Sequence, residues 1–223
     1  MPSPHPQHHN LVVFDHPLIR HKLTTMRSRE TSDRAFRALL IQIAGLMTFE
    51  VTRGFPVEPV RVRTPLEEMQ GVRLSGKITL CPVLRAGLSM TEGILELIPE
   101  ARVGHLGMFR DEKTLQPVQY LLRLPNDLDA GPVILVDPML ATGGSASAAI
   151  RMLREHGARD LRMICLIAAP EGVRRMAHDH PDLTIYAADL DRELNGQGFI
   201  MPGLGDAGDR MYGTGEQTRE WRT

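Results

Sequence analysis

The sequence predicts an α/β protein with a mainly parallel central sheet flanked by helices. Short apolar segments alternate along the chain with segments of helical periodicity, which is the pattern of βαβ units. One apolar segment ends in an acidic residue and continues directly into a glycine-containing turn and a helix, as strands do at the carboxyl edge of a parallel sheet. A chain of 223 residues is long enough to bury such a core in one domain without disulfide bonds.

The N-terminal segment is expected to precede the domain. Residues 1–10 are rich in proline and histidine and lack the apolar stretch of a signal peptide. These histidines could form a metal-binding tail, but the composition favours a disordered lead-in. We therefore expect residues 1–15 to be disordered or extended. Residues 16–23, which are too polar for a core strand, are expected to form an arm at the start of a domain that spans residues 16–214.

The first long helix is expected to begin after Ser32, whose hydroxyl can cap a helix N-terminus. The apolar side chains of this helix recur every three or four residues, at Phe36, Leu40, Ile43 and Met47. Gly54 and Pro56 are expected to end it.

Strands and helices alternate in the remainder of the chain. Strands are predicted for residues 77–84, 103–109, 132–136, 161–168 and 183–190. Helices are predicted for residues 89–97, 145–156 and 171–180. The polar segment 110–123 is expected to form a hairpin or flap. Residues 195–214 hold many glycines with little periodicity, and a loop of this length in a compact domain is usually functional or disordered.

The bulk composition excludes several classes of partner. The chain has 26 basic and 27 acidic residues and no clustered run of Lys or Arg, so we expect neither nucleic acid nor a membrane surface as a partner. No apolar stretch approaches the roughly 18–20 residues of a transmembrane span. Cys81 and Cys165 stand far apart in apolar runs, which is typical of buried thiols in a reducing cytoplasm.

Residues 133–145 (VILVDPMLATGGS) carry the strongest chemical signal. Asp137 ends the predicted strand, at the sheet edge where α/β proteins bind ligands. The glycines that follow let backbone N–H groups approach an anion, and the helix N-terminus adds positive partial charge. Thr142 and Ser145 can donate hydrogen bonds to phosphate oxygens, whereas Asp137 would face neutral hydroxyls or a cation. This division fits a sugar phosphate.

The segment departs from the common nucleotide-binding motifs. A Walker A loop requires a Lys after its last Gly, and a dinucleotide fingerprint requires G-x-G-x-x-G; neither is present. An ordinary strand–turn–helix connection capped by Ser145 stays open as the alternative. Arg85 follows the predicted strand 77–84 and is expected at the same sheet edge as Asp137. It could bind a diphosphate as a fixed cation or lie on the surface without a ligand, as most arginines do.

The string DPMLATGGS at residues 137–145 resembles the phosphoribosyl diphosphate loop of type I phosphoribosyltransferases, in particular that of the uracil phosphoribosyltransferase family. Most type I relatives have two adjacent acids there, whereas Pro138 follows Asp137, as in the uracil branch. Three further segments resemble the same family: residues 16–23 its N-terminal arm, residues 82–88 its diphosphate loop and residues 203–209 its uracil loop. The resemblance covers about residues 16–214; Ser89 stands where a Gly is expected, and residues 215–223 form a C-terminal tail beyond it.

The resemblance implies that the chain converts uracil and 5-phospho-α-D-ribose 1-diphosphate (PRPP) to UMP and diphosphate in pyrimidine salvage. It implies PRPP contacts at Arg85, Arg110, Asp137, Pro138, Met139, Leu140, Ala141, Thr142, Gly143, Gly144, Ser145 and Asp206. It implies uracil contacts at Ile200, Gly205, Asp206 and Ala207, in a small C-terminal hood (residues 191–214). Catalytic roles are implied for Asp137, Arg110 and Asp206.

The resemblance also implies Mg²⁺, held mainly through PRPP and not by direct protein ligands, and a flap that begins at Arg110 and closes over the site. A cytoplasmic homodimer or larger homo-oligomer is implied as well. Whether GTP acts as an allosteric activator stays open.

Two other functions stay open from the residues alone. The same type of enzyme could act on orotate or hypoxanthine; orotate carries a carboxylate, which would require an added cation in the hood, where Arg210 is available nearby. A regulator that senses PRPP and binds RNA would require a basic face, of which the sequence shows no sign.

Overall fold

A computed structural model describes residues 4–110 and 117–214 of the chain. Its strands are β1 (Pro4–His5), β2 (His8–Val13), β3 (Val57–Arg63), β4 (Glu68–Leu74), β5 (Thr79–Leu84), β6 (Arg102–Val103), β7 (His105–Arg110), β8 (Pro117–Arg123), β9 (Val133–Val136), β10 (Met139–Leu140), β11 (Leu161–Ala168), β12 (Thr184–Leu190), β13 (Glu193–Leu194) and β14 (Ile200–Met201). Its α-helices are α1 (Pro17–Arg27), α2 (Asp33–Val51), α3 (Gly87–Leu95), α4 (Gly144–Glu155), α5 (Pro170–Asp179) and α6 (Ala207–Tyr212).

The central sheet is mainly parallel, as predicted. Its strand order is β1-β2-β12-β11-β9-β5-β7-β8, with β10 beside β11 and β6 beside β5. The pairs from β2 to β7 along this order are parallel, and the two outermost pairs, β1 with β2 and β7 with β8, are antiparallel. Because β9 and β5 are neighbours, the chain segments that follow them emerge side by side at the carboxyl edge.

Helices cover both faces of this sheet with separate hydrophobic cores. Residues of β9 alternate between them: Ile134 and Val136 lie in the core beneath α2 and α3, and Val133 and Leu135 lie in the core beneath α4 and α5. The predicted apolar face of α2 is fully buried in the first of these cores. Ser32 caps α2 as expected, since its Oγ accepts a hydrogen bond from the Ala35 N–H at 3.3 Å.

Of the two states expected for the lead-in, the structure shows the extended one and not disorder for His8–Asn10, which lie in β2. This strand pairs in parallel with β12, and Leu11 lies opposite Ile185. The physical reason is that Leu11 and Val12 are buried against β12. The free energy gained by burying these apolar side chains exceeds the cost of ordering the polar residues before them.

The polar segment 16–23, expected to form an arm, provides the N-cap and the first two turns of helix α1. The His16 side chain accepts a hydrogen bond from the Leu18 N–H at 3.2 Å, and Pro17 occupies the first helical turn. Ile19, Leu23 and Met26 form one buried stripe, so the polar composition reflects an amphipathic surface helix.

Two hairpins project from the sheet. The flap predicted for residues 110–123 is the antiparallel pair β7–β8, and residues 111–116 at its tip lie outside the described residues. A second hairpin, β3–β4, forms a separate two-stranded sheet that sequence reasoning missed. Its residues Val57, Leu66 and Val72 are 56%, 94% and 70% exposed.

The hood is built from the antiparallel pair β13–β14 and the short helix α6, with glycine-rich turns between them. The C-terminal tail, residues 215–223, lies outside the described residues.

None of the helices in the described part of the chain combines the length and the apolarity needed to cross a bilayer.

Candidate active site

The segments that contain Asp137 and Arg85 meet at the carboxyl edge of the sheet. Strands β5 and β9 pair in parallel register, with Pro82 opposite Val136, so both predicted residues follow their strands at the carboxyl edge of the sheet. The turn after Arg85 packs directly against the end of β9. A Cβ atom on Gly87 would lie 2.4 Å from the Val136 carbonyl oxygen, so this close approach requires glycine.

The 137–145 loop has the backbone form that an anion site requires. Gly143 has a φ of 75° and immediately precedes α4, so its left-handed conformation turns the chain into the helix. The Gly144 N–H donates to the Thr142 hydroxyl at 3.5 Å. Gly143, the N-cap residue of α4, has no side chain that could accept from the N–H groups of the first turn, so this helix N-terminus can receive an anion.

Residues 138–140, in the middle of this loop, are placed to meet a ligand with main-chain atoms more than with side chains. Met139 and Leu140 form β10, which pairs with the end of β11. Pro138 and Leu140 are buried, and the Pro138 carbonyl accepts hydrogen bonds from the N–H groups of Leu166 and Ile167. These contacts fix the loop to the sheet, so the residues predicted there would meet a ligand through main-chain atoms.

Asp137 lies in an environment that disfavours its charge. Burial raises the pKa of its carboxyl group to about 7, although the Met139 N–H, 3.3 Å from Oδ1, acts in the opposite direction. The residue is only partly buried, so part of it is accessible from solvent. A carboxylate of this kind is stabilised by hydroxyl groups or a cation, which is the role that the sequence predicted for it.

Arg85, at the end of the neighbouring strand β5, is exposed. Its guanidinium carbon lies 5.7 Å from the centroid of the Tyr212 ring, within range of a cation–π interaction. The Tyr212 hydroxyl donates to the Arg85 carbonyl oxygen at 3.4 Å. Arg110 ends β7, and its side chain lies outside the described residues, as does the flap tip that follows it.

The hood is attached to the domain by a partly buried ion pair that sequence reasoning missed. Arg27 on α1 binds both oxygens of Asp191, at 2.6 and 2.8 Å, and also donates to the Gly203 carbonyl oxygen at 2.7 Å. Asp191 in turn accepts a hydrogen bond from the Gly203 N–H at 2.9 Å. Neither residue stands in a recognisable motif, so only their contact in space reveals that they hold the turn between Ile200 and Gly205.

The predicted uracil-binding residues lie around this turn. Ile200 and Ala207 are 4% and 2% exposed, whereas Gly205 and Asp206 are exposed. Asp206 also has a structural role as the N-cap of α6, since its Oδ1 accepts a hydrogen bond from the Asp209 N–H at 2.9 Å.

A second network missed by sequence reasoning supports the start of α4. The buried Ser147 hydroxyl donates to Asp179 on α5 at 2.7 Å, and His180 Nε2 lies 3.0 Å from the Ser147 carbonyl oxygen. Hydrogen bonds from His178 and Ser147, with a smaller contribution from Arg175, lower the pKa of Asp179 to about 2 and keep it ionised. The side chains of His178 and His180 are thus both hydrogen-bonded within this network, to Asp179 and to the Ser147 carbonyl oxygen respectively.

Protein ligands for a resident metal are scarce at this edge. Across residues 4–110 and 117–214, His, Cys, Asp and Glu side chains form no group of three or more that could hold a metal ion. Asp137 is the one carboxylate of the 137–145 loop. This fits Mg²⁺, which commonly binds through one or two carboxylates, waters and substrate phosphates.

Comparison with known proteins agrees with this geometry. The uracil phosphoribosyltransferase family model matches residues 12–214. The uracil phosphoribosyltransferase of Bacillus pumilus is 56% identical over 203 residues, which cover 91% of this chain and 97% of that protein. That of Finegoldia magna is 53% identical over 205 residues, which cover 92% and 98%. The solved structure of the AQ2163 protein from Aquifex aeolicus has a TM-score of 0.88 at 38% identity and covers 92% of this chain and 99% of that chain.

These matches extend over nearly the whole chain, including the two strand ends that carry Asp137 and Arg85 and the hood. The chain therefore belongs to the uracil phosphoribosyltransferase family.

Proposed function

We propose that the chain transfers the phosphoribosyl group of PRPP to uracil, which yields UMP and diphosphate in pyrimidine salvage. The observation that carries this proposal is the convergence of the 137–145 loop and Arg85 at the ends of the neighbouring strands β9 and β5. The family and the names of relatives at 51–56% identity support uracil as the base.

The reaction requires charge stabilisation and orientation more than a protein nucleophile. Breaking the bond at ribose C1 builds positive charge on the sugar and negative charge on the departing diphosphate. In the proposed complex, the start of α4 with Thr142 and Ser145 holds the 5′-phosphate, and the main chain from Pro138 to Ala141 lines the sugar. Asp137 orients the ribose hydroxyls, and Arg85 stabilises the leaving diphosphate.

Arg110 and the flap complete the proposed site. Arg110 would add a second cation for the diphosphate, and closure of the flap would exclude water from the reactive sugar. Mg²⁺, when bound, would supply further positive charge to the diphosphate and would be held mainly by PRPP oxygens and waters. The buried free thiols of Cys81 and Cys165 are consistent with a cytoplasmic setting.

A neutral base is favoured over orotate by the contacts of Arg210. Its guanidinium donates to the carbonyl oxygens of Leu204 and Ser28 at 2.8 and 2.6 Å and lies 4.5 Å from the centroid of the Phe36 ring. Recruiting this cation for the orotate carboxylate would break both contacts and leave the part-buried Leu204 carbonyl group unpaired, which is costly.

The decisive assay measures diphosphate release from PRPP and Mg²⁺ with uracil, orotate or hypoxanthine in parallel. We expect release with uracil, and much less with the other two bases. Equal or greater release with either rival base would overturn the proposal for uracil, and release with none would overturn the reaction. Addition of GTP to the same assay tests whether it activates the enzyme.

Asp206 allows the roles in uracil binding and in helix capping to be separated. Asparagine caps helices about as well as aspartate, so we expect Asp206→Asn to keep the stability of α6 while it raises KM for uracil about tenfold. Asp206→Ala should show the same kinetic defect together with a lower melting temperature. A normal KM for uracil in both variants, with only the melting temperature changed, would mean that Asp206 is purely structural.

We also propose that the chain forms a homo-oligomer in which a second copy covers the β3–β4 hairpin. A two-stranded hairpin alone is at best marginally stable in water, and this one exposes Val57, Leu66 and Val72.

Light scattering after size exclusion should show at least a dimer of the wild type, and Val72→Lys should shift the mass toward that of the monomer. Phe49→Lys, at an exposed apolar site on α2, is the matched control and should not change the mass. A monomeric wild-type chain at micromolar concentration would contradict the proposal.

A further inference from the structure

Tyr212 joins two parts of the site that are far apart in sequence. It is the last residue of α6, six positions after the proposed uracil-binding residue Asp206. Its ring lies 5.7 Å from the Arg85 guanidinium carbon, and its hydroxyl donates to the Arg85 carbonyl oxygen. One aromatic side chain thus contacts both the side chain and the main chain of Arg85.

The helix that carries Tyr212 is held firmly against the domain. Ala207 and Met211 on α6 are 2% and 0% exposed in the core that includes α2. Arg210, between Ala207 and Met211, donates to the carbonyl oxygens of Leu204 and Ser28. The ring of Tyr212 is therefore a fixed surface, whereas Arg85 is an exposed side chain with several rotatable bonds.

We propose that Tyr212 is a positioning residue that orders Arg85 for the diphosphate of PRPP and so connects the hood to the diphosphate loop. The proposal rests on the function proposed above, since Arg85 must meet a diphosphate. A free arginine loses rotamer freedom when it binds an anion, and a ring that already holds the guanidinium reduces that loss. Loss of Tyr212 should therefore weaken the binding of PRPP and of diphosphate but not the binding of uracil.

The first test compares Tyr212→Leu with Tyr212→Phe. We expect Tyr212→Leu to raise KM for PRPP about threefold to fivefold, as for loss of an exposed cation–π contact, while KM for uracil stays within twofold of wild type. Tyr212→Phe keeps the ring and should restore most of the affinity for PRPP. Phe49→Leu is the matched control, because Arg53 lies over the Phe49 ring at 5.6 Å on another part of the surface, and it should leave both constants unchanged.

A double-mutant cycle tests whether Tyr212 acts through Arg85. In the Arg85→Ala background, Tyr212→Leu should cause no further loss of kcat/KM for PRPP. An equal loss in both backgrounds, or a parallel rise in KM for uracil, would show that Tyr212 acts through hood stability and would overturn the proposal.

Calorimetry with Mg²⁺ and inorganic diphosphate, without uracil, separates this inference from the proposed function. Weaker diphosphate binding by Tyr212→Leu than by wild type supports the positioning role even if uracil is not turned over. Unchanged diphosphate binding overturns it even if uracil turnover by the wild type is normal.

Discussion

Replacement of Asp137 by Asn is expected to lower kcat/KM for PRPP by about a hundredfold or more, the usual scale for loss of one oriented polar group in an active site. Asn has the same shape and can still accept the hydrogen bond from the Met139 N–H. What it loses is the negative charge that the ribose hydroxyls and Mg²⁺ would stabilise. The fold should therefore survive while the chemistry fails.

The same substitution should stabilise the protein at neutral and alkaline pH. Burial raises the pKa of Asp137 from 3.8 to about 7, so the folded state binds this proton more tightly than the unfolded state. The stability that the protonated Asp137 contributes is therefore fully present below about pH 4 and is lost as the pH rises to about 7. Asn does not ionise, so the melting temperature of Asp137→Asn should exceed that of wild type by at least about 2–4 °C at pH 8, the shift that 1 kcal/mol produces in a chain of this size.

Melting curves at pH 8 and pH 4, together with steady-state kinetics at saturating uracil, check both expectations. The gap in melting temperature should close at the lower pH. Asp129→Asn makes the same change at an exposed site near the amino end of β9 and should alter neither property. Turnover of Asp137→Asn within tenfold of wild type would contradict the proposed role of Asp137 in the active site, whatever the melting curves show.

Arg85→Ala is expected to lower kcat/KM for PRPP by about a hundredfold, because a charge-assisted contact to the leaving diphosphate is lost. The side chain is exposed and its guanidinium lies over the Tyr212 ring at the surface, so the melting temperature should change little. Steady-state kinetics with varied PRPP and a thermal melt are the measurements.

Arg159→Ala is the matched control for this prediction. Arg159 is exposed near the amino end of β11, at the sheet edge opposite Arg85. It should retain wild-type kinetics, which would show that the defect depends on the position of the charge and not on the net charge of the protein. Wild-type-like turnover of Arg85→Ala would leave the leaving group without its proposed cation and would contradict the role given to this residue.

Helix α1 and strand β2 show why polar composition misled the sequence interpretation. The stripe of Ile19, Leu23 and Met26 is visible in the sequence, but short helices take most of their stability from the surface on which they pack. Likewise, Leu11 and Val12 become a strand because β12 offers them an open edge. In both places the local signal was present and the deciding contact was distant.

The sequence by itself determined the helix after Ser32, the alternation of the main strands and helices between residues 77 and 190, the loop at residues 137–145 and the position of Arg85 after a strand. These features depend on local periodicity, glycine and chain polarity, which neighbouring residues specify. Only the tertiary structure decided the attachment of the hood by Arg27 and Asp191 and the stacking of Tyr212 on Arg85. Residues separated by more than a hundred positions leave no spacing pattern, because their contact depends on the order in which the strands assemble in the sheet.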